Sequence, residues 1–112
     1  MKTCLTNDII LIRYPFTDLS TFKVRPAVII SSEPLWQDII IVPITSKINA
    51  LLPGEFLITE QEVTGLNVLS AVKRGVFTID KDLIIKTLGV LSESDSSQLR
   101  KSLLLWLGID DF

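Results

Sequence analysis

No histidine occurs among the 112 residues, and there is one cysteine, Cys4. These scarcities remove whole classes of chemistry. Without imidazole there is no paired-histidine acid–base mechanism, no serine–histidine triad and no histidine metal ligand. Cys4 has no second thiol for an internal disulfide and no imidazole to activate it, so it reads as an inert residue. No apolar run approaches the ~18 residues of a membrane span. The segment Met1 to Asp8 has one basic residue and no uninterrupted apolar core, which does not read as a secretory signal, and the expected location is the cytoplasm. Glycine is sparse, at five residues, and no glycine-rich phosphate loop is present. The pairs Asp80/Asp82 and Glu60/Glu62 are spaced i, i+2, as in ordinary solvated loops, so neither a metal nor a cofactor is expected.

What the chain does have is apolar bulk. Hydrophobic residues make up 47% of it and the mean hydropathy is +0.45, high for a chain with room for one domain over residues 1–112. A homodimer interface would bury the excess. The net charge of −2 argues against nucleic-acid binding by bulk electrostatics, so any such contact must be local. Residues 1–50 carry five basic and four acidic side chains against six and nine in 51–112, which makes the first half the less acidic.

The isoleucine-rich run Asp8 to Tyr14 reads as a first strand. Pro15 to Val24, with the polar Thr17-Asp18-Leu19-Ser20-Thr21, reads as a loop. Pro26 to Ser31 is a second strand, its proline tolerated as the first residue and holding Arg25 extended. Ile39 to Ile44 is a third, in which Pro43 demands an edge position or a bulge. Shorter strands are expected at Glu55 to Ile58 and Leu69 to Lys73, and a longer one at Leu83 to Leu91 broken by Gly89. Ser92-Glu93-Ser94-Asp95 resembles a capping box and opens a helix from Glu93 to Leu107 with Gly108 as its stop. Leu99, Leu103, Trp106 and Leu107 share its inner face, while Leu104 and Leu105 widen the apolar surface toward another chain. Many short strands and one terminal helix make a mainly β (α+β) protein, an SH3-like small β-barrel with a C-terminal helix.

The chemistry concentrates at two strand ends. Arg25 precedes one apolar strand and Thr45-Ser46 ends the next. A guanidinium offers a fork of donors matched to phosphate, and the hydroxyls add donors to the same anion. The plainer alternative is that Arg25 pairs with a loop carboxylate such as Asp18 and that Thr45-Ser46 only terminates a strand.

Arg25-Pro26-Ala27 and Ile44-Thr45-Ser46-Lys47, followed by Gly65-Leu66, Ser70-Ala71-Val72-Lys73, Thr78-Ile79-Asp80-Lys81 and Leu88-Gly89-Val90-Leu91-Ser92, resemble in order and spacing the MazF/PemK family of toxin–antitoxin ribonucleases. The resemblance covers nearly the whole chain. It implies a sequence-specific, metal-independent, ribosome-independent endoribonuclease that cuts single-stranded RNA, acts as a homodimer and is silenced by a cognate antitoxin. It implies Arg25 and Thr45 as the catalytic pair, with Ser46 beside them and Ser70 and Lys73 as lesser substrate-binding candidates; Lys47, Asp18 and the loop tryptophan Trp36 join the substrate-binding candidates from the residues themselves. Phe77 stands where many relatives have arginine, Lys73 where many have arginine, and Ser20 and Thr21 where some have a loop glutamate. Trp106 is expected in the core. The ending Trp106-Leu107-Gly108-Ile109 is also similar to the tail of the gyrase-poisoning toxin CcdB, which shares the barrel. That leaves a gyrase-binding toxin, or a relative that binds RNA or antitoxin without cutting, as alternative readings.

Overall fold

The computed structural model describes residues 5–14, 23–31 and 37–109. Seven strands run β1 Asp8–Tyr14, β2 Lys23–Ile29, β3 Asp38–Thr45, β4 Phe56–Leu57, β5 Ala71–Val72, β6 Phe77–Asp80 and β7 Ile84–Val90, and helix α1 spans Glu93–Leu107. They form one antiparallel sheet in the order β4-β5-β3-β2-β1-β7, with β6 also on β3. β6 and β7 lie at opposite ends of the path β6-β3-β2-β1-β7. A 3-10 turn of only three residues, Lys81–Leu83, joins them, so the sheet must curl until its two ends meet. The result is a small barrel of the expected class whose hydrogen-bonded ladder stays open between β6 and β7. Register shifts in the β1–β7 pairing, between Ile9 and Ile10 and between Leu11 and Ile12, put two extra residues of β7, Leu88 and Ile85, into the ladder and supply part of the bend.

Strand alternation loads both faces of this sheet with β-branched residues. Ile10, Ile12, Ala27, Ile29, Ile39, Ile41, Ile79 and Ile84 fill the inside of the curl. Ile9, Val28, Val42, Ile44, Ile58, Val72 and Leu91 face outward and are covered by Leu99, Leu103 and Trp106 of α1. Isoleucine suits both layers because its fixed χ1 loses little freedom on a pleated surface.

Helix α1 begins at Ser92, whose hydroxyl accepts from the Asp95 amide, and ends at Gly108 in the left-handed conformation, φ 67°. Asp95 does more than complete the cap. Its buried carboxylate accepts from the Thr59 amide (3.1 Å), the Thr59 hydroxyl (2.9 Å), the Glu60 amide (3.2 Å) and the Ser92 hydroxyl (3.1 Å), tying the helix start to the segment after β4. Further along α1, Ser102 donates to the Gly54 carbonyl at 2.7 Å and Trp106 Nε1 to the Pro53 carbonyl at 3.0 Å. Trp106 is thus packed and hydrogen-bonded inside the fold, as expected, whereas Leu107 is exposed rather than on the inner face.

Three strand expectations need correction. Pro26 is not the first residue of β2 but the fourth, because β2 pairs with β1 as far back as Lys23. Pro43 sits neither at an edge nor at a bulge; β3 is central, flanked by β2 on one side and by β6 and β5 on the other. Gly89 does not end β7, which runs on to Val90, but the ladder to β1 does shift register beside it, from Ile9/Gly89 to Ile10/Thr87; it lies under the Glu62–Thr64 turn, whose backbone a Cβ at this position would strike. β6 was legible only as a motif, not as a strand.

Candidate active site

The two prolines explain where the sheet opens. Between β2 and β3 the register pairs Ala27 with Pro43, Val28 with Val42 and Ile29 with Ile41, and the Ile30 amide donates to the Ile40 carbonyl at 2.9 Å. Hydrogen-bonded pairs alternate along an antiparallel ladder, so after Ile30/Ile40 and Val28/Val42 the next would be Pro26/Ile44. Pro26 has no N–H to give, and the ladder stops at Ala27/Pro43. By the same alternation, the missing N–H of Pro43 faces the other edge of β3, in the gap where its neighbour changes from β6 to β5. The Pro43 carbonyl there accepts from the Lys73 amide at 2.9 Å. Each proline therefore stands where one ladder hydrogen bond is absent for want of its N–H.

Continuing the β2–β3 register two residues past its last bridge sets Arg25 opposite Thr45. This would be a pair of the non-hydrogen-bonded type, in which facing side chains come closest. Arg25 follows the face of Ala27 and Ile29, and Thr45 that of Ile41 and Pro43, so both project where the inner core layer ends. They line a cleft of about 700 Å³. Arg25 is exposed, whereas Thr45 is half-buried and its Oγ1 accepts from the Lys47 amide at 3.0 Å, which turns the chain so that Ser46 and Lys47 also line the cleft. Ser70 lies at the floor, buried, with its hydroxyl donating to the Val68 carbonyl at 2.8 Å.

Electrostatics distinguishes this cleft from the rest of the molecule. Lys23, Arg25, Lys47, Lys73 and Arg74 all line it, five of the chain's eleven basic residues, and no carboxylate is among its described lining. A protein of net charge −2 thus presents a concentrated cationic surface, of the kind that attracts a polyanion locally. Glu55 stands behind it. Its carboxylate accepts from the Leu52 amide at 2.7 Å and from the Arg74 amide at 2.9 Å, fixing the backbone that carries Arg74 and Lys73 to the turn docked on α1.

Of the residues expected from sequence, Arg25, Thr45, Ser46, Lys47, Ser70 and Lys73 come together here; Asp18 and Trp36 lie outside the described residues. Lys23, Arg74 and Phe77 also line the cleft and were not among the expected site residues. Lys23 could have been found by counting two residues back from Arg25 along β2, but Phe77 reaches the cleft only through the pairing of β6 with β3. The Thr78-Ile79-Asp80-Lys81 motif is structural in part: the Asp80 carboxylate accepts from the Asp82 amide and from Gln37 Nε2, each at 2.8 Å, closing the turn into β7. Those two hydrogen bonds, the Asp82 amide first, hold its pKa below the ordinary value.

Comparison with known proteins gives a consistent result. Residues 6–107 match the model of the PemK-like, MazF-like toxin family of type II toxin–antitoxin systems. No curated protein sequence matches the chain significantly. Among solved structures, it is similar to the Mycobacterium tuberculosis toxin MazF-mt6, with 23% identity, a TM-score of 0.77 and coverage of 93% of this chain and 99% of that one. It is similar also to an endoribonuclease from a mycobacterial species in complex with its cognate antitoxin, at 17% identity, TM-score 0.76 and coverage of 96% and 98%. MazF in the MazE–MazF complex from Deinococcus radiodurans aligns at 16% identity, TM-score 0.77 and coverage of 98% and 100%.

Proposed function

We propose, from the premise that the chain belongs to the PemK-like, MazF-like toxin family of type II toxin–antitoxin systems, that it is an endoribonuclease cutting single-stranded RNA, mRNA in particular, at a short sequence without a metal. The observation that carries this reading is the cleft that Arg25, Thr45 and Ser46 line together with four further cations, Lys23, Lys47, Lys73 and Arg74. A scissile phosphodiester seated there would meet the Arg25 fork and the Thr45 and Ser46 hydroxyls. The ribose 2′-hydroxyl gives its proton to water as it attacks the adjacent phosphorus, the five-coordinate phosphorane gathers negative charge, and the bond to the 5′-oxygen breaks as that oxygen takes a proton from water. The products are a 2′,3′-cyclic phosphate and a free 5′-hydroxyl. A guanidinium stays charged at neutral pH, so Arg25 acts chiefly by stabilising the phosphorane rather than by taking the 2′-proton. DNA, lacking the nucleophile, is not cut.

The toxin works as a cytoplasmic homodimer, and an antitoxin segment silences it by filling the groove around Arg25. Family membership and the unpartnered apolar end of α1 support that arrangement. The gyrase-binding alternative draws on the Trp106 tail, but Trp106 is engaged with Pro53 and the core. The deciding experiment incubates purified, antitoxin-free protein with a long single-stranded RNA in EDTA and maps fragment 5′ ends beside Arg25→Ala. Discrete cuts bearing 5′-hydroxyls and lost in the variant are expected; RNA left intact by folded wild-type protein would overturn the reading.

A further inference from the structure

Phe77 is the one aromatic side chain among the described residues that is large, apolar and exposed, at 38%, and it lies in the cationic cleft. Exposure there is not accidental packing waste. β6 pairs with β3 so that Phe77 faces Ile41, which places its side chain on the same face of the sheet as Ile41, Pro43 and Thr45. Gly75 makes room for the ring: with φ +153° it has a backbone few side chains tolerate, and a Cβ there would stand 2.7 Å from Cε2 of Phe77 and 3.4 Å from Cδ of Pro43. The ring therefore rests against bare backbone beside a proline, next to Lys73 and Arg74, whose backbone is held by Pro43 and Glu55. An aromatic platform flanked by cations is what single-stranded nucleic acids use, the bases stacking and the phosphates pairing with the charges.

We infer that Phe77 is the stacking platform for one nucleobase flanking the scissile phosphate, and so a specificity-determining residue of this cleft. The inference rests on the ribonuclease reading for its substrate and adds to it the residue that holds a neighbouring base. Four residues of β3 separate Ile41, the partner of Phe77, from Thr45, a rise of at most about 14 Å, so the base held is not at the reacting ribose but beside it along the strand. The cleft's lack of a described carboxylate favours this polyanionic occupant over a peptide of mixed charge.

The test uses an oligoribonucleotide containing the mapped cut site, with an abasic ribose placed in turn at each flanking position. In wild type one position should show a loss of kcat/KM of roughly tenfold or more, the scale of base–aromatic stacking. That penalty should vanish in Phe77→Leu, which keeps apolar volume without the π-face, and persist in Phe77→Tyr. An unchanged abasic profile in Phe77→Leu, from protein that still cuts and gives a wild-type circular dichroism spectrum, overturns the inference while leaving the ribonuclease reading intact. So does a Phe77→Leu defect confined to antitoxin binding. If wild type cuts nothing, the ribonuclease reading falls and binding of a fluorescein-labelled random deoxy 12-mer decides on the platform alone: affinity lost in Phe77→Leu and kept in Phe77→Tyr sustains it, whereas equal affinity in all three proteins overturns it.

Discussion

At the scale of single residues, the proposed chemistry turns on Arg25 and Thr45. Arg25 is exposed and its packing role is small, so Arg25→Ala should leave the melting temperature nearly unchanged while lowering cleavage by roughly a hundredfold or more, the usual effect of deleting a donor aimed at developing charge. A thermal melt beside a single-turnover assay in EDTA separates the two effects. Asp95 behaves in the opposite way, being remote from catalysis and central to stability. Burial is the largest influence on its pKa and works upward, but hydrogen bonds from the Thr59 amide, the Glu60 amide, the Thr59 hydroxyl and Ser92 together hold it below the ordinary 3.8. A depressed folded-state pKa means that the charged form favours the native state, fully above the unfolded value and progressively less as pH falls through the lowered one. Asp95→Asn should therefore cost about 2–4 kcal/mol near neutrality, and urea titrations on the acid side of 3.8 should show the gap to wild type closing.

Among the elements, the prolines of β2 and β3 set the geometry of the cleft. Restoring the missing donor tests this directly. In Pro26→Ala the new amide faces the Ile44 carbonyl, so the β2–β3 ladder should extend by one bridge and draw Arg25 and Thr45 inward. The expected result is a protected amide at residue 26 by hydrogen exchange together with reduced cleavage and undiminished stability; an unprotected amide would show that the strands part for another reason. The turn at Gly54 is a second such device. Its φ of +88° and its contact with the Trp106 indole leave no space for a Cβ, and Glu55 next to it reaches Arg74 in the cleft. Helix α1 thus supports the cationic wall through one turn, although the two are distant in sequence.

For the molecule as a whole, charge and apolar surface are segregated. Because five cations line one cleft, its affinity for RNA should fall steeply with salt. Replacing Lys23 by Gln should flatten the slope of log affinity against log salt by about 0.7, the value for one phosphate contact to a single strand, in fluorescence anisotropy with a non-cleavable strand. The opposite resource is apolar: Leu105, Leu107 and Ile109 are each more than half exposed at the end of α1. Leu105→Asp should turn a homodimer into a folded monomer, read by light scattering behind size exclusion, because this side chain contributes little to the monomer core.

The sequence by itself determined the elements whose causes are local. Ser92, Asp95 and Gly108 bound α1 at the residues expected, since capping is a matter of neighbours within one turn. β1 likewise runs over Asp8–Tyr14 as read, and Arg25 and Thr45 stood out because each is a polar residue at the end of an apolar β-branched run. Only the tertiary structure decided what depends on pairing between distant strands: that β3 is central despite Pro43, that β6 exists as a strand, that Gly89 continues β7 beneath a turn, and that Lys23, Arg74 and Phe77 share a cleft with Arg25. The physical reason is that a ladder hydrogen bond belongs to two strands at once. Whether a proline breaks a sheet, or a phenylalanine faces a cleft, is settled by the register of a partner that the residue's own neighbours in sequence do not specify.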